Sequence, residues 1–308
     1  MDQRVHPDLK ETFSSLAEMT LTVENIKDIR RKNREMIVPY QNKNLILEEQ
    51  WINDSEKIRI KIYRPKYQKD ILPGVLYIHG GGYIFGSVEG NDAKCGEIVE
   101  KVNCVVISVD YRLAPEHPYP AAIEDCYIAL QWFAKNARQY NVDPNNIAVL
   151  GGSTGGGLTA ALSLMARDRR GPKIKFQMPL FPMIDDSCQS KSSEEIIDKR
   201  VWCGDFNRFA WNQYLKNNIG KKTPIYAAPA RAKDYSNLPP TYTSVGELDP
   251  FRDETLQYVT NLINAGVPVE FHLYPGCFHE FEAIVPNAAI SKLATEETYR
   301  ALKKALYN

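Results

Sequence analysis

Four short, almost continuous apolar runs constrain this chain more than any other feature: Val75-Leu76-Tyr77-Ile78, Val105-Val106-Ile107-Ser108-Val109, Ile147-Ala148-Val149-Leu150 and Tyr242-Thr243-Ser244-Val245. A strand with one solvated face alternates polar and apolar residues, whereas a strand apolar throughout must be covered on both faces. Between these runs lie stretches of helical periodicity, among them 121–140, 155–168 and 253–265, the last stopped by Gly266. Buried strands alternating with helices predict an α/β fold whose mostly parallel sheet is flanked by helices. Val269-Glu270-Phe271-His272-Leu273-Tyr274 supplies a further strand and 290–306 a closing helix. Ile58-Arg59-Ile60-Lys61-Ile62-Tyr63 alternates strictly, which predicts a strand with one wet face. A length of 308 residues suits one such domain carrying an insertion.

Composition narrows the partners. Lys+Arg and Asp+Glu balance at 38 each, so no net field draws the chain to nucleic acid or anionic lipid. No apolar stretch approaches the ~20 residues that span a bilayer, and the first twenty residues lack the apolar core of a secretory signal. Neither nucleic acid nor stable membrane association is therefore expected. Six cysteines, at 95, 104, 126, 188, 203 and 277, form no C-x-x-C pair and no regular spacing. They read as reduced thiols of a cytoplasmic protein, not as a disulfide framework or zinc site. Residues 1–43 are helical in pattern, with Thr22 as an N-cap; the cluster Lys27, Arg30, Arg31, Lys32 and Arg34 reads as a solvated helix face. From 184 to about 225 the βα rhythm breaks, and Trp202, Phe206, Phe209, Trp211 and Tyr214 recur at helix-like spacing. An aromatic insertion directly after a strand end, where α/β sheets place their binding crevices, reads as a lid or cap.

The chemistry is carried by three segments. Gly151-Gly152-Ser153-Thr154-Gly155-Gly156-Gly157 follows a strand and opens a helix, the context of a G-x-S-x-G nucleophile elbow. A phosphate loop would need a Lys-Ser/Thr pair after its last glycine, and Leu158-Thr159 stands there instead. His79-Gly80-Gly81-Gly82-Tyr83 also follows a strand; consecutive glycines let backbone amides face a cavity and bind an oxyanion. No second ligand lies at metal-like spacing from His79, so this residue reads as an organiser of the loop. A serine nucleophile on such a sheet needs an acid and then a histidine downstream. Asp249, after the strand ending at 245, and His279, after the strand ending at 274, satisfy that order. Asp253 is the secondary candidate for the acid, since it opens a helix whose N-terminus favours a carboxylate. Cys277 reads as a small buried packing residue.

Together these segments, with Tyr111-Arg112-Leu113-Ala114-Pro115-Glu116-His117-Pro118 and Asp249-Pro250-Phe251-Arg252-Asp253-Glu254, resemble the hormone-sensitive-lipase-like carboxylesterases (bacterial family IV) of the α/β-hydrolase superfamily. The resemblance spans roughly 44–306. It implies an eight-stranded sheet in a catalytic core of residues 44–183 and 226–308, with a helical cap of residues 1–43 and 184–225. It implies hydrolysis of short- to medium-chain acyl esters without cofactor or metal, and a small-molecule ester as the partner; a homodimer stays open. By position, Ser153 would be the nucleophile, Asp249 the acid, His279 the base, and the amides of Gly81, Gly82 and Thr154 the oxyanion donors. Three positions depart from the family pattern. Gly152 and Thr154 flank the serine where Asp and Ala are common, and Glu280 follows the histidine where glycine is common. The branch of Thr154 is expected to narrow the acyl site, and the carboxylate of Glu280 to raise the pKa of His279. A non-catalytic receptor on the same fold need not keep all three triad side chains, which favours an enzyme. Amide or aryl-formamide hydrolysis would use the same residues.

Overall fold

Each apolar run forms a strand of a single sheet, in the order β1-β2-β4-β3-β5-β6-β7-β8. The strands are β1 (Leu45–Ile52), β2 (Ile58–Pro65), β3 (Leu72–Ile78), β4 (Val105–Asp110), β5 (Val142–Gly152), β6 (Phe176–Leu180), β7 (Thr241–Leu248) and β8 (Val269–Phe278). Only β2 runs against its neighbours, β1 and β4; the other pairs are parallel. The helices are α1 (Lys10–Ser15), α2 (Ile26–Glu35), α3 (Asp92–Ile98), α4 (Ala121–Asn136), α5 (Thr154–Asp168), α6 (Lys191–Glu195), α7 (Gly204–Tyr214), α8 (Arg252–Asn264), α9 (Phe281–Ile284) and α10 (Ala289–Tyr307). This computed structural model describes residues 1–53, 55, 57–218 and 221–308. Asp54 and Glu56, in the expected core, and Ile219 and Gly220, in the expected insertion, lie outside the described residues.

Period-2 geometry splits the central strands between two cores. Leu76, Ile78, Ile107, Val109, Ile147 and Val149 pack with residues of α4 and α5. Val75, Tyr77, Val106, Ala148 and Leu150 pack on the opposite face with residues of α3 and α10. Burial on both faces explains why these strands lack alternation. α5 shows packing overriding propensity: its first turn holds three glycines, yet every residue from Thr154 to Ala166 is buried.

The structure departs from these expectations in five places. β1 and β6 were not expected; β1 is an edge strand with polar Glu48, Glu49 and Gln50, and β6 contains Pro179, which argues against a strand interior. The polar face of β2 is not wet. Lys61 is buried and pairs with Asp92 at 2.8 Å, and Tyr63 donates to the same carboxylate at 2.5 Å. The helix expected to be capped by Thr22 starts at Ile26, because Thr22 and Asn25 bond reciprocally and form a turn before it. The stretch 121–140 ends as α4 at Asn136, followed by a 3-10 turn.

The first residues are woven into the body of the chain. Val5, Leu9 and Phe13 are buried with Phe278 and Cys277 of β8, and the amide of His6 donates to the Gly276 carbonyl at 2.8 Å. All six cysteines are buried and unpaired, and among the described residues no helix is long and apolar enough to cross a membrane.

The crossing of α5 over β3 sets a steep constraint on one residue. A Cβ added at Gly155 would stand 2.0 Å from the Ile78 carbonyl oxygen, which is backbone and cannot swing aside. Gly155→Ala is expected to cost about 3 kcal/mol or more. Gly266 has a φ of +76° but open space around it, so Gly266→Ala should cost only about 1 kcal/mol of left-handed strain. Urea unfolding of the two variants checks the contrast.

Candidate active site

Ser153 sits where β5 turns into α5, with φ 56° and ψ −121°, a left-handed conformation unfavourable for a side chain bearing Cβ. Three backbone bonds hold it there. Its amide donates to the Leu180 carbonyl at 3.0 Å, and its carbonyl accepts from Met183 at 3.0 Å and from Gly157 at 2.9 Å. Strain fixed in this way keeps the hydroxyl at the end of the sheet.

Asp249 and His279 reach the same point from the ends of β7 and β8. His279 Nε2 lies 2.9 Å from Ser153 Oγ, and His279 Nδ1 lies 2.7 Å from Asp249 Oδ2. The second Asp249 oxygen accepts the Phe251 amide at 2.9 Å, which fixes the carboxylate's rotation. All three side chains are buried. Phe181 and Phe251 meet the imidazole edge-on at 5.2 and 5.1 Å, and Trp202 lies 6.3 Å from it. Asp253 is occupied elsewhere: it pairs with Arg252 and accepts the Ser192 amide.

Burial pulls the pKa of His279 down, but the charge and hydrogen bond of Asp249, with smaller contributions from Glu280 and Glu282, outweigh it. The net direction is upward. Glu280 has φ 55° and brings Oε1 to 3.3 Å from the position a Cβ on Gly80 would take, so its carboxylate faces the glycine loop. Burial pushes Glu282 up to about 7. Both acids line a cavity of about 860 Å³ between α3 and α10, which reaches Gly80 and Gly152 from behind the serine.

In the glycine loop, Gly81, Gly82 and Tyr83 have φ of 123°, 61° and 61°. The amides of Gly81 and Gly82 have no acceptor among the described residues, and the amide of Thr154 is the first of α5, without an intrahelical acceptor. Three unspent donors beside a buried hydroxyl can stabilise an oxyanion. The side chain of Thr154 turns away from the site. Its Oγ1 accepts the Tyr83 amide at 3.1 Å and contacts Met183 Sδ at 3.8 Å, so it braces elbow to loop. His79 is buried, with Nδ1 2.8 Å from the Gly80 carbonyl and its ring stacked on Tyr111 at 4.2 Å. Burial keeps it on the neutral side of its usual range. Glu270, His272 and Glu297 bring one ligand atom each within 4.8 Å of one another, but Arg300 already pairs with both carboxylates.

Sequence reasoning missed Trp202 as a site residue. A Cβ on Gly82 would stand 2.4 Å from its Cη2, so the indole rests directly on the glycine loop. The helix-like aromatic spacing marked the segment without saying which ring would face the serine.

Comparison with known proteins finds relatives along most of the chain. The α/β-hydrolase fold family matches residues 75–283. Esterase LipI of Mycobacterium tuberculosis is 40% identical over 252 residues, covering 80% of this chain and 76% of that protein. An arylesterase of Saccharolobus solfataricus is 33% identical, covering 84% of this chain and 85% of that protein. The solved structure of a bacterial heroin esterase superposes with a TM-score of 0.93 at 33% identity, over 99% of each chain. A fold, a serine elbow and relatives of this kind lead to one conclusion: the chain belongs to the hormone-sensitive-lipase-like family of α/β hydrolases, a family of carboxylic ester hydrolases.

Proposed function

We propose that the protein is a serine carboxylesterase acting on short- to medium-chain acyl esters, with Ser153 as nucleophile, His279 as base and Asp249 as the acid that orients it. The observation that carries this reading is the unbroken chain Asp249–His279–Ser153, at 2.7 and 2.9 Å, ending on a serine held at positive φ. Relatives bearing the names arylesterase and heroin esterase support an ester substrate.

In this mechanism His279 Nε2 takes the proton of Ser153 as Oγ attacks the acyl carbon, and the carbonyl π electrons pass to oxygen. The amides of Gly81, Gly82 and Thr154 stabilise that oxyanion, each worth on the order of 3 kcal/mol. His279 returns the proton to the departing alcohol, then activates water to release the acid. Asp249 holds Nδ1 protonated and favours the imidazolium that forms in each step.

Residues 1–43 and 184–225 act here as a helical cap on the core 44–183 and 226–308. Support comes from Trp202 over Gly82 and His279, and from Arg200, which pairs with Asp2 at 3.0 Å and lies 4.1 Å over the Phe13 ring. Six buried, unpaired thiols fit a reducing compartment such as the cytoplasm.

A fluorophosphonate should label wild-type protein on the peptide holding Ser153 and leave Ser153→Ala unlabelled. Turnover of p-nitrophenyl acetate should fall about 10⁶-fold in Ser153→Ala and about 10⁴-fold in Asp249→Asn, while Asp253→Asn stays near wild type. Labelling at another residue, or a damaging Asp253→Asn with a mild Asp249→Asn, would overturn the assignment.

His279 must be neutral to accept a proton, and its pKa lies above the ordinary ~6.5. The ratio kcat/KM should therefore rise with pH through a limb above that value and then level off. Glu280→Gln removes a charge that favours imidazolium, so its limb should move to lower pH. A limb at the wild-type position in that variant would show that the carboxylate is not felt.

A further inference from the structure

The basic cluster of α2 was expected to be a solvated face, and Arg31 fits that description: among the described residues it bonds only Asp28 and Glu35 of its own helix, at 3.4 and 3.1 Å. Arg30 does not. Its guanidinium leaves the helix surface and grips two buried segments of the core. Nε donates to the Ile84 carbonyl at 2.7 Å, and Nη2 donates to the Ala114 carbonyl at 2.6 Å. Nη1 spans both oxygens of Glu116 at 2.9 and 3.0 Å, which holds the fork in plane. With the guanidinium in place Ile84 and Ala114 are 0% and 1% exposed, so their carbonyls are satisfied by Arg30 and not by bulk water.

Both segments are tied to the glycine loop. The amide of Ile84 donates to the Gly81 carbonyl at 3.1 Å, and the amide of Ala114 donates to the Tyr83 carbonyl at 2.9 Å. Both residues gripped by Arg30 therefore hold the glycine loop with their own N–H groups. The peptide held at the Ile84 carbonyl also carries the Phe85 amide, which donates to the Gly81 carbonyl at 2.7 Å, so the cation polarises that bond in series; the Ala114 carbonyl precedes Pro115, which has no N–H, and there the guanidinium fixes position alone. The loop needs such support. Gly81, Gly82 and Tyr83 are consecutive residues at positive φ, and Tyr83 pays roughly 1 kcal/mol or more for it. The elbow braces the loop from one side through Thr154 Oγ1 on the Tyr83 amide, while Arg30 braces it from the other.

We propose that Arg30 is a positioning residue for ester hydrolysis, through which the N-terminal helix α2 sets the geometry of the Gly81 and Gly82 amides. This rests on the reading of that loop as the oxyanion hole. Arg30 touches no reacting atom; it acts where charge develops, so its loss should weaken transition-state binding more than substrate binding. Lysine cannot replace it fully, because a single ammonium does not reproduce the planar fork that meets two carbonyls and a carboxylate.

The test uses the full chain as wild type, Arg30→Ala, Arg30→Lys and Arg31→Ala, with p-nitrophenyl acetate as substrate. Active sites are counted with a fluorophosphonate, so that unfolded protein does not enter kcat. A trifluoromethyl ketone serves as the second probe. Ser153 Oγ bonds its carbonyl carbon, the carbonyl electrons become an oxyanion in the hole, and His279 keeps the proton.

Per active site, Arg30→Ala is expected to lose on the order of 10- to 100-fold in kcat with KM changed less than about threefold. Affinity for the trifluoromethyl ketone should fall by the same factor as kcat/KM. Arg30→Lys should lie between, Arg31→Ala should match wild type, and added ethylguanidinium should restore part of the Arg30→Ala activity and none of any other protein's. If Arg30→Ala fails to fold, Arg30→Lys carries the same comparison. A per-site kcat and ketone affinity equal to wild type, with only the folded fraction reduced, would make Arg30 a structural tether and overturn the proposal. Failure of the parent reading would look different, because wild-type protein itself would neither hydrolyse the ester nor take the fluorophosphonate.

Discussion

The positive φ of Ser153 is the constraint around which the rest is arranged. A residue with a side chain reaches that conformation only when its neighbours leave no alternative. Here those neighbours are the ends of β3 and β6, the first turn of α5 and the segment at Met183. Glycines at 155 to 157 let α5 start almost in contact with the sheet, so the helix carries its first amides to the serine. The acid and the histidine then need only lie at the ends of the next strands. β7 and β8 provide those ends because parallel strands finish on the same edge.

Much of this is legible in the sequence. Continuous apolar runs named the central strands, and the Gly-rich turns after two of them placed the serine and the glycine loop. The chain order then led to Asp249 and His279. What stayed illegible depended on contacts between segments far apart in sequence. Arg30 belongs to a run of basic residues whose composition describes a solvated face, and only the fold takes it to Ile84 and Ala114. Thr154 looked like bulk beside Ser153, because a sequence does not say to which side of a helix start a hydroxyl turns. β6 was hidden by Pro179, which is tolerated because only one β6–β7 residue pair is in register. Lys61 looked wet until α3 was folded over it and supplied Asp92.

The electrostatics follow the same division. Local sequence brings Glu280 and Glu282 close to His279, but their influence depends on burial between α3 and α10. Half-buried at the rim of that cavity, the two carboxylates add a smaller upward pull on the imidazole to that of Asp249. The face toward Trp202 is aromatic and nearly uncharged. The histidine therefore stands between an acidic side and an apolar side, and the sheet edge separates the two.

The packing of Val5, Leu9 and Phe13 against β8 has a consequence for how the chain opens. His6 is bonded to Gly276, three residues before His279, while residues 17–20 are exposed loop. The first sixteen residues and the histidine loop thus pack as one unit. A protease that nicks the exposed stretch would sever this unit from α2 without touching the central sheet. Activity would then decay with detachment of the N-terminal peptide while the sheet kept its protected amides, giving an inactive protein that still looks folded.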